Sequence, residues 1–69
     1  MQSRHHIIPK SRGGRDRDNI VMIDGRQHEK YHALFMNRTP AEIIGYLNQY
    51  FWRGRYRGLE TYVQEQERR

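Results

Sequence analysis

The spacing of apolar positions changes along this chain, and each change predicts a new element. Residues 4–8 read as a short strand, with β-branched Ile7 and Ile8 and a terminating Pro9. Residues 9–18 (PKSRGGRDRD) carry charge and paired glycines without an apolar period, which predicts an exposed loop. Ile20, Val21, Met22 and Ile23 give a second, apolar strand. Asp24-Gly25-Arg26-Gln27 has the Asp-x-x-Gln form of a capping box and opens a helix that runs to about Met36.

Helical spacing then takes over. Thr39-Pro40-Ala41-Glu42 is a second capping box with proline at the first helical position. Ile43, Leu47 and Phe51, flanked by Ile44 and Tyr50, form an apolar stripe expected to be core, and the helix ends near Trp52. Arg53-Gly54-Arg55 breaks the pattern. A third helix from about Tyr56 carries Leu59, Tyr62 and Val63 and fades into a charged tail, Gln64 to Arg69. The expectation is a single α+β domain over residues 1–69, with a strand–loop–strand–helix unit followed by two helices.

Composition narrows what such a chain can be. With 69 residues it buries a smaller share of its surface than a larger domain, and small scaffolds often add disulfides, a metal or a partner. It contains no cysteine, which removes disulfides and thiolate-bound zinc. A bound ion and the helical part are left to supply stability. No apolar run has the length of a membrane span and no signal peptide is evident, so a cytoplasmic location without membrane association is expected. Thirteen Lys+Arg against eight Asp+Glu, most of the bases being arginine, give a pI near 10.1. Such a surface suits a polyanion, and arginine pairs bidentately with phosphate. A merely solvated basic face has the same composition, so charge alone names no reaction.

The histidines do point to a reaction. All four lie in the first half, at His5, His6, His28 and His32. Residues four apart share a helix face, so His28 and His32 can hold one ion together. A third ligand must come from elsewhere, and His5 and His6 are the remaining imidazoles. Neighbours on a strand point to opposite sides, so one of the two ligates and the other keeps its ring free. A free imidazole titrates near neutral pH, the range suited to a general base.

The string His5-His6-Ile7-Ile8-Pro9-Lys10-Ser11-x-Gly13-Gly14, then Asp18-Asn19-Ile20-Val21, then His28-x-x-x-His32 resembles the HNH endonucleases, also called ββα-metal or His-Me finger nucleases. The resemblance covers residues 4 to about 36. It implies a ββα-metal unit in which His5, His28 and His32 hold one divalent ion and His6 takes a proton from the attacking water. Asn19 then matches the asparagine that bonds across the hairpin loop and fixes the base in orientation. The implied reaction is hydrolysis of DNA phosphodiester bonds, most naturally in double-stranded DNA, leaving a 5′-phosphate and a 3′-hydroxyl. The ion would polarise the phosphate and stabilise the leaving 3′ oxygen. Whether it is Mg²⁺, Mn²⁺, Zn²⁺ or Ni²⁺ is left open by the ligand types. Arg4, Lys10, Arg12, Arg15 and Arg17, on or beside the first strand and its loop, are the candidates for gripping backbone phosphates. Many members of the family carry two Cys-x-x-Cys pairs around a structural zinc. Here Asp24 and Gln27 stand in two of those places.

Two other readings compete. His28-Glu29-Lys30-Tyr31-His32 spells H-E-x-x-H, the zinc-protease signature. It would need Glu42, Glu60, Glu65 or Glu67 as third ligand, and it leaves His5, His6 and Asn19 without a role. A non-cutting, basic DNA-binding module that kept the fold is the second, and the two DNA readings part at His6. Gly13-Gly14 makes the loop turn rather than a phosphate cradle, since no helix N-terminus follows it. Arg53, Arg55 and Arg57 around Tyr56 form either a further DNA-touching patch or an ordinary turn with solvated arginines.

Overall fold

A computed structural model describes residues 1–68. Strand β1 (Gln2–His6) pairs antiparallel with β2 (Ile20–Asp24), and three helices follow: α1 (Gly25–Phe35), α2 (Pro40–Tyr50) and α3 (Arg57–Glu67). The architecture is α+β. The chain forms two compact units, Met1–Thr39 and a second from Pro40 on, close to the division that the change of period predicts. No helix among the described residues is long and apolar enough to cross a membrane.

In the first unit the hairpin register sets His5 opposite Val21 and His6 opposite Ile20. The first strand covers Gln2–His6 and stops two residues before the end that Ile7 and Ile8 predict. The reason is Asn19: Ile8 gives its backbone N–H to Asn19 Oδ1 at 2.8 Å, and its carbonyl accepts from Asn19 Nδ2 at 2.9 Å. A side chain thus satisfies the backbone groups that a longer ladder would use. Pro9 then leads into a 3₁₀ turn at Lys10–Arg12, an ordered piece within the expected loop. Helix α1 starts where the capping box places it, with Asp24 accepting from the Arg26 N–H at 2.8 Å.

Gly13 and Gly14 do different jobs in the loop. Gly13 has φ +90°, the left-handed region that closes the 3₁₀ turn. Gly14 lies so close to the chain that an added Cβ would fall 1.8 Å from the Ile8 carbonyl oxygen. Backbone cannot retreat as a flexible side chain can. Gly14→Ala is therefore expected to cost about 3 kcal/mol in thermal or denaturant unfolding. An unchanged midpoint would show that the loop relaxes freely.

In the second unit α2 packs along α3, and Gly45 makes room for Glu60, whose Oε1 lies 2.7 Å from where a Cβ would sit. The α3 helix runs further into the expected charged tail than its composition predicts, to Glu67. There Glu67 Oε1 accepts the Ala41 N–H at 2.9 Å, satisfying an orphan donor at the start of α2. Arg69, the last residue of that tail, lies outside the described residues. Asn48 is buried on α2 and builds the turn that follows, its side-chain oxygen accepting from Tyr56 N and its carbonyl from Gly54 N. The expected apolar stripe is core only in part. Ile43 is buried and Ile44 and Leu47 half-buried, whereas Tyr50 and Phe51 are about two-thirds exposed. Both lie at the C-terminal end of α2, where Phe51 still bonds back to the Leu47 carbonyl at 2.8 Å; shared spacing puts them on the stripe, but burial depends on what covers it.

Burial differs sharply between the units. Ala41 and Ile43 are the buried apolar residues among those described, and both belong to the second unit. In the first unit the buried residues are polar: His5 and Asn19.

Candidate metal centre

Strand alternation puts Ser3 and His5 on one side of β1, and both meet α1. The face that α1 presents to them runs His28, Tyr31, His32, Phe35, spaced i, i+3, i+4, i+7. His5 packs edge-on against His28, Tyr31 and His32, with ring centroids 5.2, 4.5 and 6.1 Å away. Tyr31 stacks on toward Phe35 at 5.3 Å. The hairpin and one helix face thereby gather three imidazoles and an aromatic wall.

The three rings fit an ion. His5, His28 and His32 each offer one nitrogen, all within 4.8 Å of one another. His28 Nε2 and His32 Nε2 stand 2.9 Å apart. Two nitrogens each about 2.1 Å from a common ion lie roughly 3.0 to 3.4 Å apart in octahedral or tetrahedral geometry, so the His28–His32 pair needs a few tenths of an ångström of side-chain movement and the His5 ring closes the larger remaining gap. His5 is 8% exposed, and its Nδ1 is buried without a hydrogen-bond partner. That nitrogen has a lone pair or a proton without a partner, so the cluster could take an ion there. Burial, reinforced by repulsion from His28, His32 and His6, lowers the His5 pKa below its ordinary 6.5. The ring stays neutral near neutral pH, as a ligand must.

Support for these rings comes from residues that the spacing of histidines does not reveal. Ser3 Oγ is hydrogen-bonded to His28 Nδ1. In the ligating tautomer His28 Nε2 carries no proton, so Nδ1–H donates to Ser3 and fixes the ring plane. Ser3 stands two residues before His5 and shares its side of the strand, which is the signal that could have found it. Tyr31, half-buried with its phenol pKa raised by that burial, braces His5. An open depression of about 620 Å³ beside the cluster is lined by Ser3, Gly25, His28, Glu29, His32 and Ala33.

His6 stands apart from the ligand group. Its ring is half-buried, and Nε2 lies 2.8 Å from Asp16 Oδ1. The His6 hydrogen bond, together with nearby Lys10 and Arg4, holds the Asp16 carboxyl below its usual pKa. Asn19, 7% exposed, makes its side-chain hydrogen bonds to backbone and not to the His6 ring. Its amide spans the loop, donating to Ile8 O and to Arg15 O at 2.7 Å while accepting from Ile8 N. The expected bridge across the loop is there, and the side-chain partner of His6 is Asp16, whose place in a polar, charged loop gives no sign of it in the sequence.

The five expected phosphate-gripping residues are all exposed, Arg4 on β1 and Lys10, Arg12, Arg15 and Arg17 in the loop region. Arg4 Nη2 is 3.5 Å and Lys10 Nζ 4.0 Å from Asp16, and Arg17 is 3.9 Å from Asp18. Arg12 donates to the Asn37 carbonyl at 3.4 Å, tying the 3₁₀ turn to the end of α1. The exposed ion pairs of Arg4, Lys10 and Arg17 are weak. No family model, curated protein or solved structure matches this chain.

Proposed function

We propose that this chain is a metal-dependent endonuclease of the ββα-metal type acting on double-stranded DNA. The observation that carries the reading is the division of labour among four histidines. Three converge, and the fourth, adjoining His5 in the chain, is held aside by a carboxylate. A purely structural metal site closes its coordination with protein ligands, whereas three imidazoles leave positions open for water and substrate. A divalent ion bound there would polarise the phosphate and stabilise charge on the leaving 3′ oxygen.

The remaining work falls to the chain's own side chains. His6 takes the proton of the attacking water. Asn19 holds the two limbs of the loop together beside it. Arg4, Lys10, Arg12, Arg15 and Arg17 draw the phosphate backbone toward that loop, an attraction that weakens with salt. The nuclease reading uses His5 as the third nitrogen beside His28 and His32, whereas the protease reading leaves His5 without a role.

Incubation of supercoiled plasmid with the purified chain and Mg²⁺, Mn²⁺, Zn²⁺ or Ni²⁺ in turn tests the proposal. Conversion to nicked or linear forms is expected with at least one ion and none with chelator, and the new ends should carry 5′-phosphate. Salt-sensitive DNA binding with no cleavage under any ion would instead identify a non-cutting binding module.

A further inference from the structure

We infer that Asp16 is a positioning residue for His6, holding the imidazole with its proton on Nε2 and so making Nδ1 the nitrogen that accepts the proton of water. The inference rests on the nuclease reading for the role of His6, and on geometry for the rest. Asp16 Oδ1 stands 2.8 Å from His6 Nε2. An ionised carboxylate has acceptors only, so the hydrogen between the two atoms belongs to the imidazole. A neutral imidazole carries one ring proton. With that proton on Nε2, the Nδ1 lone pair is the free base.

Asp16 is well placed to stay ionised. The His6 bond is reinforced by Arg4 at 3.5 Å and Lys10 at 4.0 Å, which gather around the same carboxylate. Its own backbone is tied into the loop, since the Asp16 carbonyl accepts the Asn19 N–H at 3.3 Å. Asn19 in turn clamps Ile8 to Arg15, the residue before Asp16. The asparagine therefore acts on the base at one remove: it fixes the loop that carries the carboxylate.

In the hydrolytic step, one water proton passes to His6 Nδ1 as the water oxygen forms its bond to phosphorus. The bond from phosphorus to the 3′ oxygen breaks, and that oxygen takes its proton from solvent. His6 is left doubly protonated, with Nε2–H still donating to Asp16, and returns the Nδ1 proton to solvent. The carboxylate steadies the transient imidazolium and takes up no proton itself.

The same carboxylate faces Arg4 and Lys10, two of the residues expected to meet phosphate. Removing it should slow the chemical step without weakening DNA binding. A loss confined to folding would leave neither signature.

The test uses the ¹⁵N-labelled 69-residue chain with one equivalent of Zn²⁺ added, near pH 8. Long-range ¹H–¹⁵N spectra report which His6 nitrogen carries the proton. In the unsubstituted chain His6 is expected as the Nε2–H form, and in Asp16→Ala as a mixture. In plasmid cleavage, kcat of Asp16→Ala should fall about tenfold with KM unchanged or lower, and Asp16→Glu should recover part of kcat. A His6 proton on Nδ1 in the unsubstituted chain, or a tautomer ratio untouched by Asp16→Ala, overturns the inference. A chain that cuts no DNA yet shows the tautomer shift would sink the nuclease reading while upholding the link between Asp16 and His6.

Discussion

His6→Ala is expected to lower metal-dependent cleavage of plasmid DNA by about 10²- to 10⁴-fold, the usual contribution of a positioned general base. Divalent-metal affinity should stay unchanged. The asymmetry comes from strand geometry. His5 and His6 are neighbours on β1, and it is His5 that joins His28 and His32 while His6 bonds to Asp16. Removing the His6 ring leaves the three converging nitrogens in place. His5→Ala, His28→Ala or His32→Ala should fail differently, losing metal affinity and cleavage together. Glu29→Gln serves as a control for the protease pattern, since Glu29 is exposed and the nuclease reading gives it no role. Titration calorimetry beside a nicking assay separates these cases. A His6→Ala protein that still cuts at full rate would remove His6 as base, and one that loses the metal would make it a ligand.

The parts of this site legible in the sequence are those that repeat with a simple period. His28 and His32 share a helix face at any i, i+4 spacing, and the alternation of a strand separates His5 from His6 before any coordinates exist. The capping residue Asp24 likewise announces the start of α1. What escaped the reading depends on contacts across sequence. Ser3 acquires meaning when β1 lies against α1 and its hydroxyl meets His28, twenty-five residues away. Asp16 looks like one more charge in a polar loop until that loop folds back on His6. The strand boundary moved for a related reason. Ile7 and Ile8 favour extended backbone, but Asn19 takes both backbone groups of Ile8 and local propensity yields. Apolar periodicity overstated the second core because it reports which residues share a helix face and not how far another element covers that face.

Metal should hold the first unit together as well as complete its chemistry. Among the described residues that unit buries His5 and Asn19, and no apolar side chain, so little hydrophobic stabilisation is available to it. An ion bound by the folded state alone, at one hundred times its Kd, adds about 2.7 kcal/mol. For a chain of this size that raises Tm by roughly 10 to 20 °C. Chelation should lower Tm by the same amount, and His28→Ala should abolish most of the metal-induced rise. The pH dependence of the metal-free protein has a definite sign. His5 has a folded pKa below its ordinary 6.5, so between the two values the unfolded chain binds more protons. Stability is therefore complete above about 6.5 and declines as the pH falls through that window toward the folded pKa. With metal the decline should be steeper, because protons and the ion compete for the same imidazole nitrogens. Thermal unfolding from about pH 8 to about pH 5, with and without one equivalent of Zn²⁺, measures both slopes. Identical curves with Zn²⁺, and again with Mg²⁺, Mn²⁺ and Ni²⁺, would mean that the three histidines bind no divalent ion, and the catalytic reading would go with them.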